Sequence, residues 1–229
     1  MAICRYRVRF EKRDALRFIS HHDLMRVFEL ALRRSGLKVA FTQGFNPHPR
    51  LSFAVALPLG VESLDEIVDI DLEHDGEPLA PEGLVLQLGG QMPPGLRLLA
   101  ARVATGRPRV AAADYQCELP LEAGDVGPRL AAFLESATHA HSRARGPGRP
   151  DRRFDARAFT LGASIKGRTL RMRLRTGGEG GMKPADLLAV LGLDAAGILV
   201  TKTRTVLAEE LEEQPGAEAP LRSAWEEES

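Results

Sequence analysis

The chain has 229 residues, of which 44% are hydrophobic and 27% charged, and its basic and acidic residues balance. This composition is typical of a soluble globular protein, and the absence of an apolar run of about 18 residues predicts no membrane span. Two cysteines, Cys4 and Cys117, cannot supply the thiolates of an iron–sulfur cluster or a disulfide framework, so we expect a reducing cytoplasm.

The first half of the chain predicts a strand, a helix, two strands, a helix and a strand. Residues 3–11 alternate, with Arg5, Arg7 and Arg9 on the outer face. A helix follows over residues 20–35, with Ser20 as its N-cap. The later elements are a proline-rich loop at 43–49, strands at 51–57 and 67–73, a helix at 81–92 and a strand at 96–103.

The second half repeats this order of elements without a visible sequence repeat. Its predicted elements are a strand at 115–121, a helix at 125–137, hairpin strands at 154–166 and 169–175, a helix at 184–191 and a strand at 198–207. Residues 138–153 are rich in Arg, Gly and Pro, which predicts a disordered basic insertion. The glycine-rich segment 176–181 predicts a flexible turn, with a phosphate-binding loop as the alternative.

We therefore expect an α+β protein made of two tandem ferredoxin-like βαββαβ units with antiparallel sheets. The expected bounds are residues 1–104 for the first unit, 105–113 for a linker, 114–207 for the second unit and 208–229 for an acidic tail. The tail has eight glutamates against one arginine, a composition that predicts disorder. The rest of the chain then has 30 lysines and arginines against 23 aspartates and glutamates.

Residues 18–53 concentrate the polar chemistry of the chain. The candidate binding residues in this stretch are Ser20, His21, Asp23, Arg26, Arg33, Gln43, Asn46 and His48. Ser20 and Asp23 also fit a simple helix cap, and the arginines also fit a solvated helix face. His48 lies between two prolines in a polar loop, where packing explains it less easily.

This stretch resembles the radical SAM-linked domain family, a bacterial domain fused to a radical SAM protein or encoded beside one. The resemblance is carried by FISHHDLMR at 18–26, Arg33 with Arg34, QGFNPHP at 43–49, Ser52 with Phe53, and LPLGVES at 57–63. The family block has Leu where this chain has His22, which favours His21 as the functional histidine. The resemblance implies a radical SAM partner that carries the 4Fe–4S cluster and S-adenosylmethionine, with no cofactor or metal in this chain.

Two arginine rows suggest RNA as a second partner. In a ferredoxin-like unit the outer face of the sheet can bind RNA. In the first unit, Arg5, Arg7 and Arg9 would project from this face. Asp69, Asp71 and Glu73 on the neighbouring strand would neutralise that row through cross-strand ion pairs. The second unit offers a basic surface of Arg171, Arg173 and Arg175, with only Glu118 expected opposite.

Three hypotheses follow. The first is an accessory protein that presents a substrate, RNA or tRNA, to a radical SAM enzyme for modification or processing. The second is a metal-independent RNA-processing or phosphotransfer enzyme, in which His21 and His48 act as acid and base with Asp23 orienting one of them. A metal site of His21, Asp23 and His48 is a variant of this second hypothesis. The third is a purely structural adaptor.

Overall fold

The computed structural model describes residues 2–146, 148–176 and 181–212. The chain divides into two compact units, Met1–Pro108 and Arg109–Ser229, and each contains strands and helices. In the described residues no helix is long and apolar enough to cross a membrane. The predicted tail beyond residue 212 and the middle of the glycine-rich turn, residues 177–180, lie outside the described residues.

The first unit packs two helices on one face of an antiparallel sheet. Its elements are β1 (Ala2–Lys12), α1 (His21–Ser35), β2 (Leu51–Phe53), β3 (Glu62–His74), α2 (Pro81–Gly89) and β4 (Leu96–Val103). The strand order is β4-β1-β3-β2, and all three pairings are antiparallel. Val8 and Phe10 on β1 pack against Phe28 of α1 in the buried core, since strand residues two apart share a face.

The second unit builds a similar sheet with an additional small hairpin. Its elements are β5 (Val110–Glu118), α3 (Gly127–Glu135), β6 (Ala140–Arg143), β7 (Arg152–Asp155), α4 (Ala156–Phe159), β8 (Thr160–Lys166), β9 (Thr169–Arg175), α5 (Pro184–Val190), β10 (Val200–Leu207) and α6 (Ala208–Glu212). Within this unit the order is β10-β5-β9-β8, again antiparallel, while β6 and β7 pair separately.

The structure confirms a mixed α+β protein with mostly antiparallel strands and corrects three boundaries. The expected disordered insertion 138–153 forms β6 and β7, because its ends pair residue for residue. Residues 110–113 of the expected linker belong to β5, since they pair with β10 and β9. Residues 208–212 of the expected disordered tail form α6, which follows β10 directly.

Candidate functional site

The start of α1 is held by a reciprocal capping box. The Asp23 backbone amide donates to Ser20 Oγ over 3.2 Å, and the Ser20 amide donates to Asp23 Oδ2 over 3.3 Å. The Ser20 hydroxyl also donates to Asp23 Oδ2 over 2.6 Å. These bonds, the hydroxyl first, lower the pKa of Asp23 from its ordinary value. The predicted cap is therefore confirmed, and it accounts for Ser20 and Asp23 without a catalytic role.

His21 lies at the rim of the hydrophobic core, next to the end of β2. Its ring packs edge-on against Phe53 with centroids 5.2 Å apart, and Phe53 in turn contacts Phe28 at 5.3 Å. His21 and His22 are both exposed, and their rings lie 6.3 Å apart. His21 is thus positioned by an aromatic contact while its ring remains open to solvent.

The loop at residues 41–49, which we call the motif loop, is closed by a backbone clasp. The Thr42 amide donates to the His48 carbonyl over 2.8 Å, and the His48 amide donates to Thr42 Oγ1 over 3.0 Å. Phe41 and Pro49 pair just outside this clasp. Gly44 has a φ of 131°, a conformation that other residues rarely adopt, so this loop requires glycine at that position.

The side chains of the motif loop are turned away from the fold. Gln43, Phe45, Asn46 and His48 are all exposed, and the Phe45 ring has a relative accessibility of 112%. Among the described residues their side chains form no hydrogen bond, ion pair or ring contact. A backbone that is closed and stiffened by prolines therefore presents four side chains that the fold does not use.

Two of the predicted binding arginines are likewise on the surface of α1. Arg26 and Arg33 are exposed, and Arg26 lies close enough to Asp23 to lower the pKa of that carboxyl slightly, after the larger effect of Ser20. Arg34 differs from them, because its guanidinium donates to the Gln91 carbonyl over 3.2 Å and so joins α1 to the end of α2.

Among the described residues no hydrogen bond or ring contact joins His21 and His48, and their pairing as acid and base stays a prediction. His21 contacts Phe53 at the end of β2, whereas His48 precedes the first residue of β2, Leu51. Within the described residues no group of three His, Cys, Asp or Glu side chains is arranged to hold a metal ion.

Lys12, which is buried below the start of α1, was not among the residues that the sequence pattern indicated. Lys12 is 2% exposed, and its ammonium lies 3.5 Å from the Ile19 carbonyl. Burial lowers the pKa of Lys12, and the charge of the buried Glu66 opposes this shift. The strand alternation could have revealed this lysine, because Tyr6, Val8 and Phe10 point inward and the next position in that series is Lys12.

The arginine row on β1 is neutralised by β3, as the sequence predicted. Arg5 contacts Asp71 at 2.7 Å, and Arg7 contacts Asp69 at 2.9 Å, each across a directly opposed pair of the ladder. Arg9 instead reaches Asp65 at 2.6 Å. The hydrogen bond that Arg5 donates to Asp71 raises the pKa of Arg5 above its ordinary value. This sheet face therefore carries internal ion pairs.

The basic surface expected on β9 needs a correction. Arg173 contacts Asp114 of β5 at 2.6 Å, and this bond raises the pKa of Arg173. We expected β5 to begin at Tyr115, one residue too late to include Asp114. Arg171 is half-buried and only Arg175 is exposed, so the three arginines do not form an open basic row.

A surface cavity of about 260 Å³ lies at the other end of α1, away from Ser20. It is lined by Cys4, Tyr6, Gly36, Leu37, Lys38, Leu72, Glu73, His74, Glu77 and Leu79. The Tyr6 hydroxyl donates to the Leu79 carbonyl over 2.7 Å, and burial raises the pKa of Tyr6 to about 12. Tyr6 and Cys4 are therefore core residues that reach this cavity, and none of the predicted site residues lines it.

Comparisons with known proteins identify a family over most of the chain and a remotely similar solved structure. Residues 5–184 match the family described as "Uncharacterized protein conserved in bacteria (DUF2344)", and that description names no radical SAM enzyme. No curated protein matches the chain. A crystal structure of an unknown protein from Galdieria sulphuraria aligns over 90% of this chain and 100% of its own, at 11% identity and a TM-score of 0.28. That score is too low to support an argument about fold or function.

Proposed function

We propose that this chain, which belongs to the DUF2344 family of conserved bacterial proteins, is an accessory protein for a radical SAM enzyme. In this proposal the partner carries the 4Fe–4S cluster and S-adenosylmethionine, and this chain holds the partner and an RNA substrate. The proposed partnership comes from the resemblance of the SHHDLMR and QGFNPHP blocks to the radical SAM-linked domain family.

One observation carries the proposal: the motif loop exposes an aromatic ring and three polar side chains that have no partner among the described residues. Exposed aromatic side chains in a stiff loop are typical anchors of protein interfaces, because they bury a large area at a small cost in conformational entropy. Phe18 beside the cap of α1 and Leu59 in the neighbouring loop are also exposed. We therefore propose that Phe45 inserts into a pocket of the partner, flanked by Asn46 and His48.

We also propose that both units have the ferredoxin-like arrangement. In each unit the first and third strands of the βαββαβ series occupy the centre of the sheet, as the orders β4-β1-β3-β2 and β10-β5-β9-β8 support. In this interpretation β6, β7 and α4 form an insertion in the second unit. RNA as the substrate is supported by the excess of basic residues before Ala208.

The partnership is tested by capture from the native organism with the tagged full chain. We expect the wild type to retain an enzyme that contains an iron–sulfur cluster and binds S-adenosylmethionine, identified by mass spectrometry and iron content. Phe45→Ser should abolish this capture. The matched control is Leu86→Ser, because Leu86 is 81% exposed on α2 in the same unit.

The outcomes separate the parts of the proposal. Capture of the enzyme by wild type and by Leu86→Ser, but not by Phe45→Ser, supports docking through the motif loop. Equal capture by both variants rejects the motif loop as the docking element. If the wild type retains no enzyme of this class, the radical SAM partnership itself is wrong.

A further inference from the structure

The hairpin of β6 and β7 carries a cluster of arginines in the second unit. Four residue pairs join the strands, from Ala140 opposite Asp155 to Arg143 opposite Arg152. Its tip, residues 144–151 apart from residue 147, is exposed. The sequence between 143 and 153 has five arginines and one acidic residue, Asp151.

Polar contacts next to the tip hold the first strand of this hairpin against the second unit. Arg143 forms a two-pronged ion pair with Asp186 of α5, with Nε 2.9 Å from Oδ1, and its guanidinium also donates to the Gly181 carbonyl over 2.9 Å. His141 lies 3.5 Å from the same carboxylate. Arg143 is therefore a structural residue, and its charge is neutralised within the unit.

A second set of contacts fixes the other strand of the hairpin. Asp155 accepts from the His139 amide over 2.8 Å and from the Arg157 amide over 3.0 Å, and these backbone bonds lower the pKa of Asp155. The Phe154 ring packs edge-on against Phe159, with centroids 5.6 Å apart. The hairpin is thus a supported projection, and its tip is held at one place on the unit.

Three arginines of the hairpin are left for a ligand. Arg145, Arg149 and Arg153 are exposed, and their side chains make no hydrogen bond or ion pair among the described residues. Asp151 is the single carboxylate between Arg145 and Arg153 in sequence, and it accepts a hydrogen bond from Ser142 over 3.4 Å. A planar guanidinium offers two parallel donors that match a phosphate group, so this arrangement suits a chain of phosphates.

The hairpin does not offer a platform for base stacking. The Phe154 ring is surrounded by His141, Phe159 and the guanidinium groups of Arg143 and Arg152. The tip itself carries small residues and arginines rather than an apolar pocket for a peptide side chain. Binding through such a surface is electrostatic, tolerant of sequence and sensitive to salt, as is typical of contacts to a nucleic-acid backbone.

We propose that Arg145, Arg149 and Arg153 bind the phosphate backbone of single-stranded RNA. The choice of RNA rests on the proposed function, whereas the location of the site rests on the hairpin. RNA would then bind the β6–β7 hairpin and not the sheet face, where Arg173 is paired with Asp114. An acidic polypeptide is the competing ligand for the same charges.

The experiment measures the affinity of the full chain for a fluorescent uridine oligomer of about 20 nucleotides by anisotropy at several salt concentrations. The test variant carries Arg145→Gln, Arg149→Gln and Arg153→Gln. The matched control carries Arg13→Gln, Arg107→Gln and Arg109→Gln, which remove the same charge from exposed positions elsewhere. Thermal unfolding of both variants verifies that they are folded.

We expect the test variant to bind roughly ten- to a hundredfold more weakly than wild type at about 0.1 M salt, because three phosphate contacts are lost. The slope of log affinity against log salt should become shallower by about 2, at about 0.7 for each lost contact with a single strand. The control variant should keep the wild-type slope within about 0.7, the value of one contact.

Three results overturn this inference: equal loss in test and control variants, unchanged binding in the test variant, or no RNA binding by the wild type. If polyglutamate rather than RNA binds, and the hairpin substitutions weaken it, the ligand is an acidic polypeptide instead. The two proposals fail separately, because Phe45→Ser should bind RNA as wild type does, and the hairpin variant should still capture the partner enzyme.

Discussion

The arginines of β1 and those of the β6–β7 hairpin look alike in sequence and have opposite environments. Arg5, Arg7 and Arg9 each contact an aspartate of β3, whereas Arg145 and Arg153 make no such contact among the described residues. On β1 the neighbouring strand places aspartates beside the arginines, whereas Arg153 lies opposite Ser142 and Arg145 lies in the loop between β6 and β7. The comparison shows that the charge available to a ligand depends on the opposing strand, and the number of arginines alone does not give it.

The largest expected effect is at the most buried pair on β1. Replacing Arg7 with Met leaves the Asp69 carboxylate buried without its partner, so the free energy of unfolding should fall by about 3 to 5 kcal/mol. Urea denaturation measures this loss. The double variant Arg7→Met, Asp69→Leu should recover most of it, since no uncompensated charge remains. A single variant as stable as wild type would show that this pair does not distinguish β1 from the hairpin.

The equivalent pair of the second unit should show a smaller loss. Arg173→Met leaves Asp114 without its guanidinium, which should cost about 1 to 3 kcal/mol of unfolding free energy. The effect is smaller than at Arg7 because the Arg173 side chain is more exposed than that of Arg7. Urea denaturation compares Arg173→Met with Arg175→Met, in which an exposed arginine of β9 is replaced. Equal stability of the two variants would contradict the prediction.

Loss of the Ser20 cap of α1 should have an intermediate effect on stability. Ser20→Ala removes the N-cap of α1 and should lower the unfolding free energy by about 1 kcal/mol. Because Ser20 lowers the pKa of Asp23 in the folded state, the stabilisation from Asp23 is complete above the ordinary pKa of an aspartate and is lost as the pH falls through the lowered value.

The dependence of stability on pH tests the role of the Asp23 carboxylate in this cap. Thermal unfolding measured from neutral to acidic pH should show the difference between wild type and Ser20→Ala narrowing toward the acid end, where Asp23 is protonated in both and the bond from the Asp23 amide to Ser20 Oγ remains as the difference. A difference that stays constant down to acidic pH would mean that the cap does not depend on the Asp23 carboxylate.

The smallest expected effect is on the hairpin. Arg153→Gln should change the unfolding free energy by no more than about 0.5 kcal/mol, because an exposed side chain without a described partner contributes little to stability. Urea denaturation of Arg153→Gln and of Arg7→Met measures the two changes in unfolding free energy under the same conditions. A loss above about 1 kcal/mol would show that Arg153 serves the fold, and would weaken its assignment as a ligand contact.

Local patterns predicted several parts of the candidate site. The capping box of Ser20 and Asp23 follows from residue types at fixed spacing, and the ladder of Arg5 and Arg7 follows from two alternating strands. The hairpin was missed because its composition favours disorder, while the ion pair of Arg143 with Asp186 joins residues far apart in the chain. Asp114 was missed because strand ends are poorly defined by sequence pattern.

By itself, the sequence determined the α+β class, the order of most elements, the cap of α1 and the proline-stiffened loop, since each depends on neighbours within a few residues. Only the tertiary structure decided that His21 packs against Phe53, that Lys12 is buried and that Arg173 is paired. These facts depend on the register between strands and on packing across the core, which bring together residues that are distant in the chain and carry no local signal.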